Sequence, residues 1–427
     1  MNVFRLSMIV VIIFLSGCHV QEQFEYFGYN AAQLSNADSE LGKDETTNTL
    51  TIWTREYDFQ HLVEQYNRKF PNVTVEVVEI NRHELVNKYL NSLIEQNTPD
   101  LYVILDKDLG EFSGIDGFEN LMEEPYSKSY IFNRLPEPLL KQYQFFMKDG
   151  LLSIPMSAFP YVTYYRSDIL ENAGFPSDPE LLAEFMKDTD NWLEMSTALK
   201  EKNHYLIDGV LQLLFSANRS TNYFDEQLNY TMAEDGQFQS LFEVSKFSYE
   251  HNLASHKNLW SEDGKEALRT GELAMVHLAS YGEFHLQNWV PEQAGKWRVT
   301  RMPLGLEGIE KETGKSLAMS SSSQNKELAW EFIEIAAESL LYSYTTETDS
   351  SFFGTQDTNN FYWELINEGM RGQPTPLDRY AYDYWELGLY QVVMGSPINE
   401  STFSVIEDQV NERIKRDKQA LLKLRND

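Results

Sequence analysis

Residues 50–105 decide the fold, because they hold three short apolar runs: LTIWT at 50–54, VTVEVVEI at 73–80 and LYVIL at 101–105. Each run is rich in β-branched or aromatic residues, which is typical of buried strands. Apolar residues recur at helical spacing between the runs, over residues 59–70 and 81–96. This order predicts a βαβαβ unit with a parallel sheet, in which Asp58 caps the first helix.

The carboxyl ends of such strands are where parallel sheets bind ligands. Five candidate ligand-binding residues therefore follow from position alone: Trp53, Arg55, Glu56, Tyr57 and Asp106. Two of them have a structural alternative, since Trp53 is equally suited to the core and Asp106 to capping a turn. Arg55, together with Arg82 after the second strand, would suit an anionic ligand, such as a uronate.

The rest of the chain is predicted to be mainly helical. The predicted helices are 178–187, 191–202, 236–251, 262–270, 326–341, 361–370 and 403–424. No Gly-, Pro- or Ser-rich linker divides this body, although it is long enough for more than one domain. The absence of a linker favours lobes that are built from interleaved segments of the chain.

The composition excludes some classes of function. The chain has 427 residues with 35 Lys and Arg against 66 Asp and Glu, a formal charge of −31. Such a surface repels phosphate backbones, so a nucleic-acid partner is not expected. A single cysteine, Cys18, rules out an internal disulfide or a cysteine-rich zinc site. The histidines lack metal-ligand spacing, and we predict neither a metal nor another cofactor.

The N-terminus predicts the compartment. Residues 1–17 have the charge and the short apolar segment of a secretory signal peptide, and that segment is too short to span a bilayer. Leu15-Ser-Gly-Cys18 resembles the bacterial lipobox, whose cysteine becomes the acylated N-terminus. Residues 18–48 are polar and would form a flexible tether. These features predict a lipoprotein, palmitate-type acylation included, on the outer face of the bacterial cell membrane.

Several segments, taken in order, resemble the extracellular solute-binding proteins of ABC importers, the family-1 carbohydrate-binding type. They are TPDLYV at 98–103, GLLSIP at 150–155, YYRSD at 164–168, NWLE at 191–194, GELAM at 271–275 and SQNKELAWEF at 323–332. The resemblance spans about residues 49–340. Arg166-Ser167 and Asn191 depart from the usual pattern, so the family's ligand cannot be carried over.

The resemblance implies an α/β fold of two interleaved lobes around a hinged cleft, the type II periplasmic-binding-protein-like fold. We expect residues 49–158 and 300–341 to form lobe 1, and residues 159–299 and 342–427 to form lobe 2. In such proteins the cleft closes on its ligand by hinge motion. The closed form then delivers the solute to the permease subunits of an ABC transporter.

Further candidate ligand residues follow from the resemblance and from a local aromatic cluster in residues 380–385, a part of the chain that does not align with the family. Tyr281 stands where the family places a stacking aromatic residue, and Glu283 beside it would accept a hydroxyl. Tyr161 flanks an expected hinge, and Tyr382 and Trp385 belong to an aromatic cluster after residues 374–376. Flat aromatic faces and carboxylates are what a sugar ring needs.

The resulting hypothesis is a monomeric, membrane-anchored receptor for a sugar, not an enzyme. Two alternatives stay open. One is a surface-anchored hydrolase of polysaccharides, which would need a carboxylate pair across the cleft. The other is a sensor subunit that has the same binding fold and a different partner.

Overall fold

A computed structural model describes most of the chain after the predicted tether. The described residues are 48–146, 148–225, 227–231, 236–346, 351–370, 372–393 and 400–426. The predicted signal peptide (residues 1–17), Cys18 and all but the last residue of the 18–48 tether lie outside this part of the chain.

The strands are β1 (Asn48–Thr54), β2 (Val73–Glu79), β3 (Leu101–Leu105), β4 (Ser153–Ser157), β5 (Tyr161–Arg166), β6 (Met275–Ala279), β7 (Trp297–Thr300) and β8 (Lys315–Met319). The helices are α1 (Gln60–Lys69), α2 (Leu85–Glu95), α3 (Leu109–Ser113), α4 (Glu137–Leu140), α5 (Ser167–Ala173), α6 (Pro179–Met186), α7 (Thr189–Lys200), α8 (Gln212–Ser220), α9 (Gly236–Glu250), α10 (Glu262–Thr270), α11 (Gly282–Trp289), α12 (Lys326–Thr345), α13 (Thr358–Glu368), α14 (Asp378–Val393) and α15 (Glu400–Asn426).

The predicted βαβαβ unit is confirmed and forms part of a five-stranded sheet of order β2-β1-β3-β8-β4. Strand β1 lies parallel to both β2 and β3, as the prediction required. Strand β8 then pairs antiparallel with β3, Leu101 lying opposite Met319, and β4 pairs antiparallel with β8. The chain therefore leaves this sheet after β4 and returns to it at β8.

Between those two strands the chain builds a second sheet, of order β6-β5-β7, in which β5 is central and both pairings are antiparallel. Every residue of β5 is buried. Its side chains alternate between two hydrophobic cores, since successive residues of a strand point to opposite faces. Val162 and Tyr164 pack in the core that includes the five-stranded sheet, whereas Tyr161 and Tyr165 pack in the other core.

Helices α1 and α12 pack together over the first core. The ring of Phe332 on α12 lies 5.4 Å from that of Tyr66 and 6.4 Å from that of Phe59, measured between centroids. The expectation that Asp58 caps α1 is wrong. The helix has Phe59 at its N-cap with no side-chain cap, because the Asp58 carboxylate is held in an ion pair by Lys315 at the start of β8.

The seven helices predicted outside the βαβαβ unit are confirmed, with ends shifted by a few residues. Sequence patterns missed others, notably α8, α11 and α14. The predicted lobe boundaries stay a prediction. Among the described residues, none of the helices combines the length and the apolar character that a membrane span requires.

Candidate functional site

Polar side chains gather where the ends of both sheets meet. Residues 106–108 form a 3-10 turn directly after β3, and residues 310–312 come shortly before β8. Helices α8 and α14 bring further charged groups from the side of the second core. We call these residues the central polar cluster: Asp106, Lys107, Asp108, Arg219, Glu310, Lys311, Glu312, Arg379, Tyr382 and Glu386.

Backbone hydrogen bonds join the cluster segment that follows β3 to the segment that precedes β8. The N–H of Asp106 donates to the carbonyl of Gly314 (2.9 Å), and that of Lys107 donates to the carbonyl of Lys311 (3.2 Å). The Glu310 carboxylate accepts from the backbone N–H groups of Glu312 (2.8 Å) and Thr313 (2.9 Å). These two hydrogen bonds fix the turn at Glu310 without a helix or a strand around it.

Glu312 is the hub of the cluster. Its carboxylate accepts a hydrogen bond from Lys107 Nζ at 2.7 Å and another from the Tyr382 hydroxyl. The Lys107 ammonium also lies 5.8 Å from the centroid of the Tyr382 ring. Burial acts to raise the pKa of Glu312, but the neighbouring Lys107 outweighs it and lowers that pKa to about 2. Glu312 is therefore ionised throughout the physiological range.

Two arginines are paired within the same cluster. Arg219 of α8 donates from Nε to Glu386 of α14 at 2.9 Å. Arg379 of α14 donates to Asp108, which follows β3. This ion pair links the part of the cluster beside the five-stranded sheet with the part that α14 contributes. Burial raises the pKa of Asp108, with Arg379 acting in the opposite direction. Removing either partner would leave a buried charge alone.

Lys311 is buried and is held by uncharged oxygens. Its ammonium donates to the backbone carbonyl of Thr221 and to Asn222 Oδ1 (2.7 Å). Burial lowers the pKa of Lys311 to about 8, although Asp378 and Asp106 act to raise it. The Lys311 ammonium is thus occupied by oxygens of the two residues that follow α8.

Asp106 is the least satisfied group in the cluster. Its Oδ2 accepts a hydrogen bond from the Tyr143 hydroxyl at 3.0 Å, whereas its Oδ1 is buried without a hydrogen-bond partner among the described residues. Burial raises the pKa of Asp106 well above its ordinary value. Gly314 permits this packing, because a Cβ there would lie 2.2 Å from Asp106 Oδ2.

Two predicted tyrosines border the cluster. Tyr161 is 8% exposed, and burial, followed by the charge of Glu310 and by Tyr281, raises its pKa well above the ordinary value. Tyr281 contacts the ring of Phe159 edge-on, with centroids 5.6 Å apart. Together with Tyr382 and Asp106, these are the predicted site residues that the structure brings together.

The candidates at the end of β1 make their contacts outside the central polar cluster. Trp53 packs against the rings of Tyr89 (6.3 Å) and Tyr102 (6.1 Å), on the side of α2. Arg55 pairs with Glu56 at 2.8 Å, and Tyr57 is exposed.

The two remaining candidates, Trp385 and Glu283, form hydrogen bonds with tyrosines that pack in or against the hydrophobic cores. Trp385 donates from Nε1 to the Tyr230 hydroxyl (2.5 Å) in the second core. Glu283 accepts hydrogen bonds from Tyr362 (3.0 Å) and Gln287 (3.2 Å). Neither side chain belongs to the central polar cluster.

Sequence reasoning missed most of the charged residues of the cluster. They are Lys107, Asp108, Arg219, Glu310, Lys311, Glu312, Arg379 and Glu386. Charges are so common in this chain that none of these residues stands out locally. The one usable signal was Glu310-Lys-Glu312 in a glycine-containing stretch just before a strand.

Two sheets joined by repeated crossings of the chain, with polar groups gathered at their ends, define a two-lobed α/β binding protein. The family model described as bacterial extracellular solute-binding protein matches residues 53–339, and the chain belongs to this family. No curated protein sequence matches the chain significantly.

Solved structures share the fold. The galacto-N-biose-/lacto-N-biose I-binding protein of an ABC transporter from Bifidobacterium longum, in complex with lacto-N-biose, superimposes with a TM-score of 0.68 at 15% identity, covering 88% of this chain and 98% of that one. The sugar-binding protein MalE of Xanthomonas citri gives 0.64 at 16% identity, with coverage of 88% and 99%. A galactobiose-bound ABC transporter protein from B. animalis subsp. lactis gives 0.62 at 18%, with coverage of 87% and 99%. The two-lobe periplasmic solute-binding protein fold is thereby confirmed.

Proposed function

We propose that this protein is a lipid-anchored extracellular receptor that binds a carbohydrate and delivers it to the permease of an ABC importer. Membership of the solute-binding family supports the receptor role. The sugar complexes of structurally similar proteins support the carbohydrate class. The predicted signal peptide of residues 1–17 and the acylation of Cys18 would supply the membrane anchor.

The observation that carries the proposal is that three tyrosines lie near the buried carboxylates at the ends of both sheets. Tyr161 begins β5 of the three-stranded sheet, Tyr281 is the N-cap residue of α11, and Tyr382 lies on α14. Tyrosine rings offer the apolar faces on which a sugar ring packs, and Asp106 and Glu312 offer acceptors for its hydroxyls. We assign ligand contacts to these residues.

Binding rather than catalysis is the proposed mechanism. Groups from both halves of the molecule would contact one ligand, so the ligand would bind the closed arrangement more tightly than an open one. A ligand shifts a conformational equilibrium only by such a difference in affinity. The closed form is the species that would dock on the permease.

A thermal-shift panel on the purified full-length protein tests the proposal. We expect one class of mono- or oligosaccharide to raise the melting temperature by several degrees at saturating concentration, because a ligand at 1,000 times its Kd stabilises by about 4 kcal/mol. Tyr281→Ala and Tyr382→Ala should abolish the shift. Tyr342→Ala, which removes a tyrosine 69% exposed on α12, is the matched control.

Recovery of the sugar after incubation separates the receptor from the hydrolase. Unchanged sugar is expected, whereas its disappearance with turnover would favour a surface hydrolase. A shift with peptides alone would contradict the carbohydrate assignment. Cell fractionation tests the anchor: the Cys18→Ala variant should leave the membrane fraction, and its retention there would contradict acylation at Cys18.

A further inference from the structure

The central polar cluster contains four basic side chains and a fifth, Lys315, lies at its edge; each already has a partner within the protein. Lys107 binds Glu312 at 2.7 Å, Arg219 binds Glu386 at 2.9 Å and Arg379 binds Asp108. Lys315, at the edge of the cluster, binds Asp58. Lys311 donates to two uncharged oxygens. These side chains are engaged before a ligand arrives.

Carboxylates outnumber the basic groups at the same place. Asp106 adds a buried oxygen, Oδ1, that has no partner among the described residues, and Glu310 is 1% exposed. Asp378 is also buried beside Lys311. Among the described residues of the cluster, no basic group is therefore free to pair with an anionic ligand, which would have to break a pair or lie against carboxylates. Burying an uncompensated charge is costly, so this arrangement would weaken the binding of anionic ligands relative to uncharged ones.

The alternative source of positive charge does not lie in the cluster. Arg55, which the sequence offers for a uronate, is paired with Glu56 at 2.8 Å. Arg82 is exposed on the loop between β2 and α2. Neither arginine joins the groups that surround Tyr161, Tyr281 and Tyr382.

We propose that the binding site selects uncharged saccharides over uronates and other anionic sugars, and that Glu312 determines this selection by holding Lys107. This inference rests on the proposed carbohydrate-receptor function. Glu312 is suited to the role because it is the acceptor shared by Lys107 and Tyr382. Its replacement by glutamine preserves an acceptor for Tyr382 and releases Lys107 from a charge pair.

The test compares saccharides that differ in charge but little else. Suitable pairs are galactobiose with digalacturonate, and cellobiose with cellobiuronic acid. Calorimetry measures Kd for each probe with the full-length protein and with its Glu312→Gln variant. We expect the neutral member of the recognised pair to bind at least about thirtyfold more tightly than the anionic member, a ratio that Glu312→Gln reduces at least about tenfold.

Glu331→Gln is the matched control, because Glu331 also pairs with a lysine, Lys69 at 2.5 Å, but does so on α12 outside the cluster. It should leave the ratio unchanged. Equal or tighter binding of the anionic member, or a ratio that Glu312→Gln does not change, would overturn the inference and leave the receptor function standing. Failure of every saccharide, neutral and anionic, would overturn the proposed function and the inference with it.

Discussion

The aromatic contact between α1 and α12 and the central polar cluster are both buried, yet they are held by different forces. In the first, Phe59, Tyr66 and Phe332 exclude water, and their stabilisation depends on apolar area and close packing. In the second, three ion pairs compensate most of the buried charges. The first region supplies stability, whereas the second, where we propose that selectivity arises, buries charges at some risk to stability.

The largest effect should come from the apolar region. Phe332→Ala removes a fully buried ring and leaves a cavity, which should lower the free energy of unfolding by about 3–5 kcal/mol. Urea denaturation measures the loss. Tyr342→Ala on the same helix, at a side chain 69% exposed, should change stability by less than about 0.5 kcal/mol. A loss below about 1 kcal/mol for Phe332→Ala would show that this region repacks around the deleted ring, and that close packing is not what stabilises it.

Next comes the loss of a charge partner in the cluster. Arg379→Ala leaves the Asp108 carboxylate buried without its arginine, and should cost about 3 kcal/mol. Adding Asp108→Asn should restore at least half of that loss, because the unpaired charge is then gone. Lys128→Ala breaks an exposed pair with Glu124 and should cost less than about 0.5 kcal/mol. If the double variant is no more stable than Arg379→Ala, charge pairing is not what holds the cluster.

His277, a buried residue of β6 in the second sheet, extends the comparison to the pH dependence of stability. Burial lowers the pKa of His277 to about 3, and its Nδ1 lies 2.9 Å from the Thr163 hydroxyl. The unfolded chain takes up this proton near pH 6.5 while the folded protein does not, so stability falls as the pH drops below 6.5. His277→Gln should remove about 1.5 kcal/mol of the stability lost between pH 6.5 and pH 5.

The control for this pH series is His83→Gln, at an exposed position, which should leave the pH profile of unfolding unchanged. An unaltered profile for His277→Gln would mean that His277 becomes protonated in the folded state as readily as in the unfolded one.

The smallest effect concerns Asp106. Because burial raises its pKa, ionisation of Asp106 weakens the folded state as the pH rises above the carboxyl's ordinary range. Asp106→Asn should therefore stabilise the protein by about 1 kcal/mol at pH 7, and the gain should fade toward pH 4. Thermal unfolding at the two pH values measures it. Destabilisation at pH 7 would instead indicate that the charge is needed by Lys311.

The sequence predicted well wherever the signal was local. The alternation of apolar runs and helical spacing in residues 50–105 was enough for the βαβαβ unit, because strand and helix periodicities differ. The position of Asp106 at the end of a strand was equally local. Tyr281 and the hinge residue Tyr161 came from the resemblance to the family, and Tyr382 came from a local aromatic cluster.

The charged partners could not be predicted in the same way. Lys107 and Glu312 are 205 residues apart in the chain, and Arg219 and Glu386 are 167 apart. Nothing in a chain with 66 acidic residues marks which of them a given basic residue will meet. The expectation for Asp58 went wrong for the same reason, since a distant lysine at the start of β8 took its carboxylate.

The sequence by itself determined the βαβαβ unit, the order of most helices and the family, because periodicity and short motifs act over neighbouring residues. The tertiary structure alone decided which charges lie buried together at the ends of the two sheets. The reason is that the energy of a buried charge depends on what lies within a few ångströms of it, and here those neighbours come from segments that are far apart in the chain.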